Sequence, residues 1–188
     1  MKIETYDIPG IMLIIPRHIG DERGYFSETF RADFFRGHVG DYTFVQENES
    51  LSAQVGTIRG LHFQIQPHAQ GKLVRCTSGA VFDVAVDIRH GSPTYGHWIS
   101  ELLTPENGKQ LWMPPGFAHG FCSLEPDSVI AYKVACSYYD LECDKGLAWD
   151  DPAIGIRWPD VADTQTLSTK DQQQPLLTDL PAYFSWSN

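Results

Sequence analysis

An all-β fold, an antiparallel jelly roll built as a sandwich or barrel, is what this sequence predicts. Three observations carry the expectation. Short runs rich in Val, Ile, Leu, Phe, Tyr and Trp recur through the first 140 residues. Turn signals separate them, as in Thr77-Ser78-Gly79, His90-Gly91-Ser92-Pro93, Thr104-Pro105-Glu106-Asn107-Gly108 and Pro114-Pro115-Gly116. No long amphipathic pattern alternates with the runs, which disfavours a parallel α/β sheet.

Taken in order, residues 11–16 form the first expected strand. Their apolar run is too short for a signal-peptide core or a membrane span. Residues 27–35 are the best helical candidate, and a short one. Further strands are expected over 42–47, 55–64, 72–78, 80–88, 98–103, 109–113 and 128–134. Within 80–88, Phe82, Val84 and Val86 share one face while Val81, Asp83, Ala85 and Asp87 share the other. Both faces carry apolar residues, so this strand is expected to be central, between two packed layers. In the last strand Ile130, Tyr132 and Val134 form an apolar face that turns Tyr132 toward the core, where a tyrosine is as often structural as functional.

Beyond residue 140 the character changes. Residues 146–152 read as an ordered loop anchored by Trp149, and the chain from Asp163 onward is polar and Gln-rich. Composition alone predicts disorder for its final part. With no internal repeat and no linker, residues 1–188 are expected to form one domain, with about 160–188 as a peripheral C-terminal extension.

Charge and cysteines narrow the function. The net charge of -10 leaves no broad basic stripe, so a nucleic-acid partner is not expected, nor is a membrane. Cys76, Cys122, Cys136 and Cys143 show no CxxC spacing and read as reduced thiols of a cytoplasmic protein.

Against this acidic background, Arg59-Gly60-Leu61-His62-Phe63-Gln64 and Lys72 place one histidine and two cations close together. Histidine accepts a proton near neutral pH, and the cations suit a developing oxyanion or a phosphate. That combination points to a proton-transfer enzyme acting on an anionic substrate. Epimerisation beside a ketone needs a base on one face of a carbon, an acid on the other and a cation at the carbonyl oxygen. His62, Tyr132 and Lys72 supply those three groups. A carboxylate orienting the imidazole is expected, with Asp83 and Asp171 both eligible. The plainer alternative for His62 is a hydrogen-bonded strand histidine. A metal centre built on His62, His119 and His68 is the rival chemistry. The second position of an H-x-H pair is occupied by Gln64, a poor ligand, so neither metal nor cofactor is expected. A non-catalytic sugar-nucleotide binding module is a further alternative.

The segments DERGYFSETF, FVQENES, GTIRGLHFQ, QGKLVRCTSGAVFDVAVDIR, GSPTYGHW, QLWMPPGFAHGF, AYKV and GLAWDDPAIGI, with Leu167-Ser168-Thr169-Lys170-Asp171 downstream, closely resemble the dTDP-4-dehydrorhamnose 3,5-epimerases. The resemblance implies a cupin-type jelly roll that uses no metal, typically a homodimer. It implies a dTDP-4-keto-6-deoxy sugar substrate, epimerised at the carbons flanking the C4 ketone. A single-site epimerase of a related sugar would carry the same motifs. By the same resemblance His62 is the base, Tyr132 the acid, Asp171 the partner of the histidine and Lys72 the cation at the C4 oxygen. Gln46, Asn48, Arg59, His119 and Lys170 match substrate contacts. Arg23, Phe26 and Glu28 match a nucleotide-contacting motif that a neighbouring subunit can supply. Where the family has an acidic contact just before the glycine matched by Gly146, this chain offers Glu142 and Asp144.

Overall fold

The computed structural model describes residues 1–186. The chain runs β1 (Lys2–Thr5), β2 (Met12–Ile15), β3 (His18–Asp21), β4 (Gly24–Ser27), α1 (Ala32–His38), β5 (Phe44–Ser52), β6 (Ile58–Gln64), β7 (Gly71–Ser78) and β8 (Val81–Asp87). It continues with β9 (Arg89–His90), β10 (Trp98–Leu103), β11 (Gln110–Met113), β12 (Phe117–Ser123), β13 (Ser128–Ala135), β14 (Asp144–Gly146) and, after three short 3-10 turns, β15 (Phe184–Ser185). Two antiparallel sheets face each other, in the orders β1-β2-β11-β7-β13-β5 and β10-β8-β12-β6-β14. This is the jelly roll that the strand spacing predicts.

Alternation assigns the faces. Val74, Leu111 and Ile130 of the six-stranded sheet meet Val81, Ala85, Phe117 and Phe121 of the five-stranded sheet in the central core. Residues of opposite parity on the six-stranded sheet, including Leu73 and Trp112, pack outward with Phe35 of α1. The central position expected for residues 80–88 is observed, since β8 lies between β10 and β12 and buries residues on both sides.

The covering of the second side corrects one expectation. Composition predicts disorder for the end of the chain, yet Leu177, Leu180, Tyr183 and Phe184 lie over Leu61, Phe63, Val84 and Val86 on the outer face of the five-stranded sheet. Leu177 is buried and the other three are partly buried, and since full burial of such a side chain is worth about 1.5–3 kcal/mol, their combined burial favours an ordered segment. The end is tied down where β15 pairs with β9 and where the Arg89 guanidinium stacks 4.4 Å from the rings of both Phe117 and Trp186.

Five strands escape a hydrophobic-pattern reading. β1 is short and mostly exposed, and β14 has only three residues. The hairpin β3–β4 pairs only with itself and has exposed residues throughout its tip, so nothing imposes alternation on it. β12 contains Gly120 and small residues that carry little strand propensity, although all seven of its residues are buried. The helix starts later than expected, because Ser27 pairs with His18 and the Thr29 carbonyl accepts from Gln110 Nε2 at 2.6 Å.

Candidate active site

A bulge arranges the site. His62 pairs with His119 and Arg59 with Phe121, so β6 has one more residue than β12 between the two pairs. Strict alternation would send Arg59 and His62 to opposite faces. With the extra residue both share the face of Phe121 and His119, toward the barrel interior. Gly60 makes this possible: its φ is +128°, and a Cβ there would lie 2.6 Å from the Gly120 Cα.

His62 Nε2 stands 2.6 Å from Asp171 Oδ1. A carboxylate can only accept, so Nε2 carries the proton and Nδ1 keeps the lone pair. Burial alone would raise Asp171, but hydrogen bonds from His62, Ser168 and the Gly60 N–H outweigh it and hold the carboxyl below its ordinary value. Asp83 takes the other histidine instead: His119 Nε2 lies 2.8 Å from Asp83 Oδ2, and that carboxylate is fully buried. The two carboxylates left open by the sequence are thereby assigned to two adjacent imidazoles. Among the described residues no group of three His, Cys, Asp or Glu side chains is placed to hold a metal ion.

Lys72 and Tyr132 approach from the opposite sheet, on the inward parity of Val74 and Ile130. Burial pulls the Lys72 ammonium down to about 8, against the fields of Asp144 and Asp83, which support its charge, with Lys170 reinforcing the drop. Burial pushes the Tyr132 phenol up, and Asp144 adds to this, while Asn48 and Arg59 oppose it. The Asp144 carboxylate is therefore felt by both groups, and Asp83 links Lys72 to the histidine pair. All these side chains open onto one interior.

Asp144, not Glu142, occupies the acidic position in the site. It pairs with Lys170 and accepts from the Tyr139 hydroxyl at 3.0 Å, whereas Glu142 is exposed. Gln46 and Asn48 sit on the inward parity of β5, with Gln46 Nε2 donating to Asn48 Oδ1 at 2.9 Å and Asn48 directly across from Tyr132. Arg59 lies at the rim, where it donates to Ser52 Oγ and to the Leu51 carbonyl. Two buried polar atoms on the interior side have no partner among the described residues, Asp83 Oδ1 and Gln64 Nε2, and they offer an acceptor and a donor to a bound molecule. Sequence reasoning missed Ser168 and Tyr139, whose roles depend on contacts across loops.

Arg23, Phe26 and Glu28 are not brought to this interior. Arg23 pairs with Asp21, Glu28 faces Arg31, and Phe26 is 69% exposed. Their hairpin borders a cavity shared with Arg75 and Gln110, on the outer side of the sheet whose inner side carries Lys72 and Tyr132.

A half-buried imidazole on a buried carboxylate, a protonated phenol and a desolvated ammonium around one space can remove a proton beside a carbonyl, hold the enolate and return a proton. Comparison with known proteins gives the same direction. Over 186 residues the chain is 60% identical to the dTDP-4-dehydrorhamnose 3,5-epimerase of Sinorhizobium fredii, covering 99% of this chain and 94% of that one. The dTDP-6-deoxy-D-glucose-3,5-epimerase of Legionella pneumophila, solved with dTDP-4-keto-L-rhamnose, superposes with a TM-score of 0.92 at 41% identity over 100% of this chain and 99% of that one. A 3'-monoepimerase from Streptomyces bikiniensis, solved with dTDP-quinovose, superposes with a TM-score of 0.86 at 33% identity, over 92% of this chain and 86% of that one. The family model for dTDP-4-dehydrorhamnose 3,5-epimerase matches residues 5–179, and the chain belongs to that family.

Proposed function

We propose that this protein epimerises dTDP-4-dehydro-6-deoxy-D-glucose at C3 and C5, giving dTDP-4-dehydro-L-rhamnose. The observation that carries the reading is the His62–Asp171 pair facing Tyr132 and Lys72 across one interior. His62 removes the proton beside the ketone through Nδ1, the nitrogen that Asp171 leaves free. The resulting imidazolium is stabilised by the carboxylate behind it. Electrons move into the C4 carbonyl, and Lys72 holds the enolate oxygen in a desolvated setting, worth about 3–4 kcal/mol for a donor of this kind. Tyr132 then donates its phenolic proton to the opposite face of the carbon, and both side chains re-equilibrate with water. His119 and the Gln46–Asn48 pair contact the sugar, while Arg59 and Lys170 face the diphosphate.

The active unit is a homodimer in which the β3–β4 hairpin of one copy serves the site of the other. The support is positional, since the hairpin lies on the outer side of its own six-stranded sheet. Four unpaired cysteines suit a cytoplasmic enzyme.

Incubation with dTDP-4-dehydro-6-deoxyglucose in heavy water, followed by NMR, tests the chemistry. Deuterium at both C3 and C5 with both centres inverted is expected. Inversion and label at one carbon alone would give the single-site reaction, and full retention of the original hydrogens would refute the scheme.

A further inference from the structure

We propose that the outer face of the six-stranded sheet carries a second oxyanion site, organised by Arg75 and distinct from the epimerase site. It takes a phosphate ion or a small phosphomonoester.

The starting observation is an unbalanced charge. Among the described residues the side chains of Arg17, Lys72, Arg75 and Arg157 have no hydrogen-bond or ion-pair partner. Arg17 and Arg157 are exposed and solvated, so their isolation carries no cost. Lys72 belongs to the epimerase site. Arg75 is half-buried, in a chain with 24 acidic residues, and none of them reaches it. A partly desolvated guanidinium without an acceptor is unfavourable unless a ligand supplies one.

The surroundings suit an oxyanion. Arg75 lines a cavity of about 250 Å³ together with His18, Tyr25, Ser27, Thr77 and Gln110. That volume accommodates a tetrahedral oxyanion with several waters. The Ser27 hydroxyl is buried and has no partner among the described residues, and Ser27 lines the same cavity as Arg75. Thr77 adds a hydroxyl, and the stacked rings of His18 and Tyr25, 4.0 Å apart, line another side. No acidic side chain lines the cavity. A planar guanidinium fork with neighbouring hydroxyls matches the geometry of a phosphate.

The site is separated from the epimerase chemistry by the sheet itself. Arg75 and Lys72 lie three residues apart on β7 with opposite parity, Lys72 inward and Arg75 outward.

Titration with inorganic phosphate, followed by calorimetry and thermal melting in a phosphate-free buffer, provides the test. Wild type is expected to bind and to gain melting temperature saturably. Arg75→Gln is expected to weaken binding by about tenfold or more, with kcat unchanged. Ser27→Ala is expected to weaken it to a smaller degree, and Arg75→Lys, which keeps the charge without the fork, falls between and guards against misfolding of the glutamine variant. Arg59→Gln, which removes a proposed diphosphate contact of the epimerase site, must retain the response, which separates this cavity from that site. Binding that is unaffected in Arg75→Gln overturns the proposal. So does the absence of phosphate binding by wild type; an altered molar mass of Arg75→Gln in light scattering would then make Arg75 the anchor for a carboxylate of a second copy.

Discussion

In the proposed mechanism Asp171 fixes which nitrogen of His62 acts, and one side-chain exchange tests it. In Asp171→Asn the amide can donate to Nε2, which forces the imidazole proton onto Nδ1 and removes the base. Turnover is expected to fall by about 10³–10⁴-fold with little change in melting temperature, measured by steady-state kinetics beside circular dichroism. Lys72 makes the opposite kind of contribution. Its folded pKa of about 8 lies below the ordinary lysine value of 10.5, so the folded chain binds fewer protons than the unfolded chain between those values. Wild-type stability therefore rises with pH across that window, and the full penalty is present below it. Lys72→Met removes the penalty. The variant is expected to be at least as stable as wild type at pH 7 in denaturant melts, with its advantage shrinking as pH rises above 8, and its kcat is expected to drop by about 10²–10³-fold. Wild-type kcat should decline over the same rise, as the ammonium is lost.

At the scale of the element, the β6–β12 bulge is the device that turns a strand into a catalytic edge. It places Arg59 and His62 on one face and frees the Gly60 N–H for the Asp171 carboxylate. Gly60→Ala introduces a Cβ 2.6 Å from one backbone atom and 2.9 Å from the His119 carbonyl, at a φ of +128°. Backbone must move, so a loss above about 3 kcal/mol is expected, together with loss of activity in the fraction still folded. Gly91→Ala is the comparison, because its φ is +83° but nothing lies within 4 Å. Urea melts should show a cost of about 1 kcal/mol there, from conformation alone.

At the scale of the molecule, the C-terminal segment does two jobs. It covers the outer face of the five-stranded sheet and carries Lys170 and Asp171 to the barrel opening, with Ile58 N donating to Thr166 Oγ1 and Ala148 N to the Pro175 carbonyl along the way. The β3–β4 hairpin points elsewhere, and its proposed reach into a second copy has a direct test. Mixing Arg23→Ala with His62→Ala subunits creates dimers in which one site bears both defects and the other bears neither. Recovery of roughly a quarter of wild-type activity on reassociation is expected from random pairing. Activity that stays at the level of the parents would place Arg23 in the site of its own chain.

Much of this was legible in the amino-acid order. Period-two patterning located most of the sheet strands between residue 11 and residue 134, though not β3, β4 or β12, and His62, Lys72 and Tyr132 stood out as candidates because few residue types perform proton transfer beside a ketone. Local sequence determines which face a side chain takes within one strand. It does not determine which strands meet. Whether Asp83 or Asp171 would orient His62 depended on a contact spanning 109 residues, and the choice of Asp144 over Glu142 depended on where a loop crosses the barrel mouth. The order of the C-terminal segment was decided in the same way: its scattered apolar residues have no period of their own, and they become meaningful only when a sheet face supplies the surface that buries them.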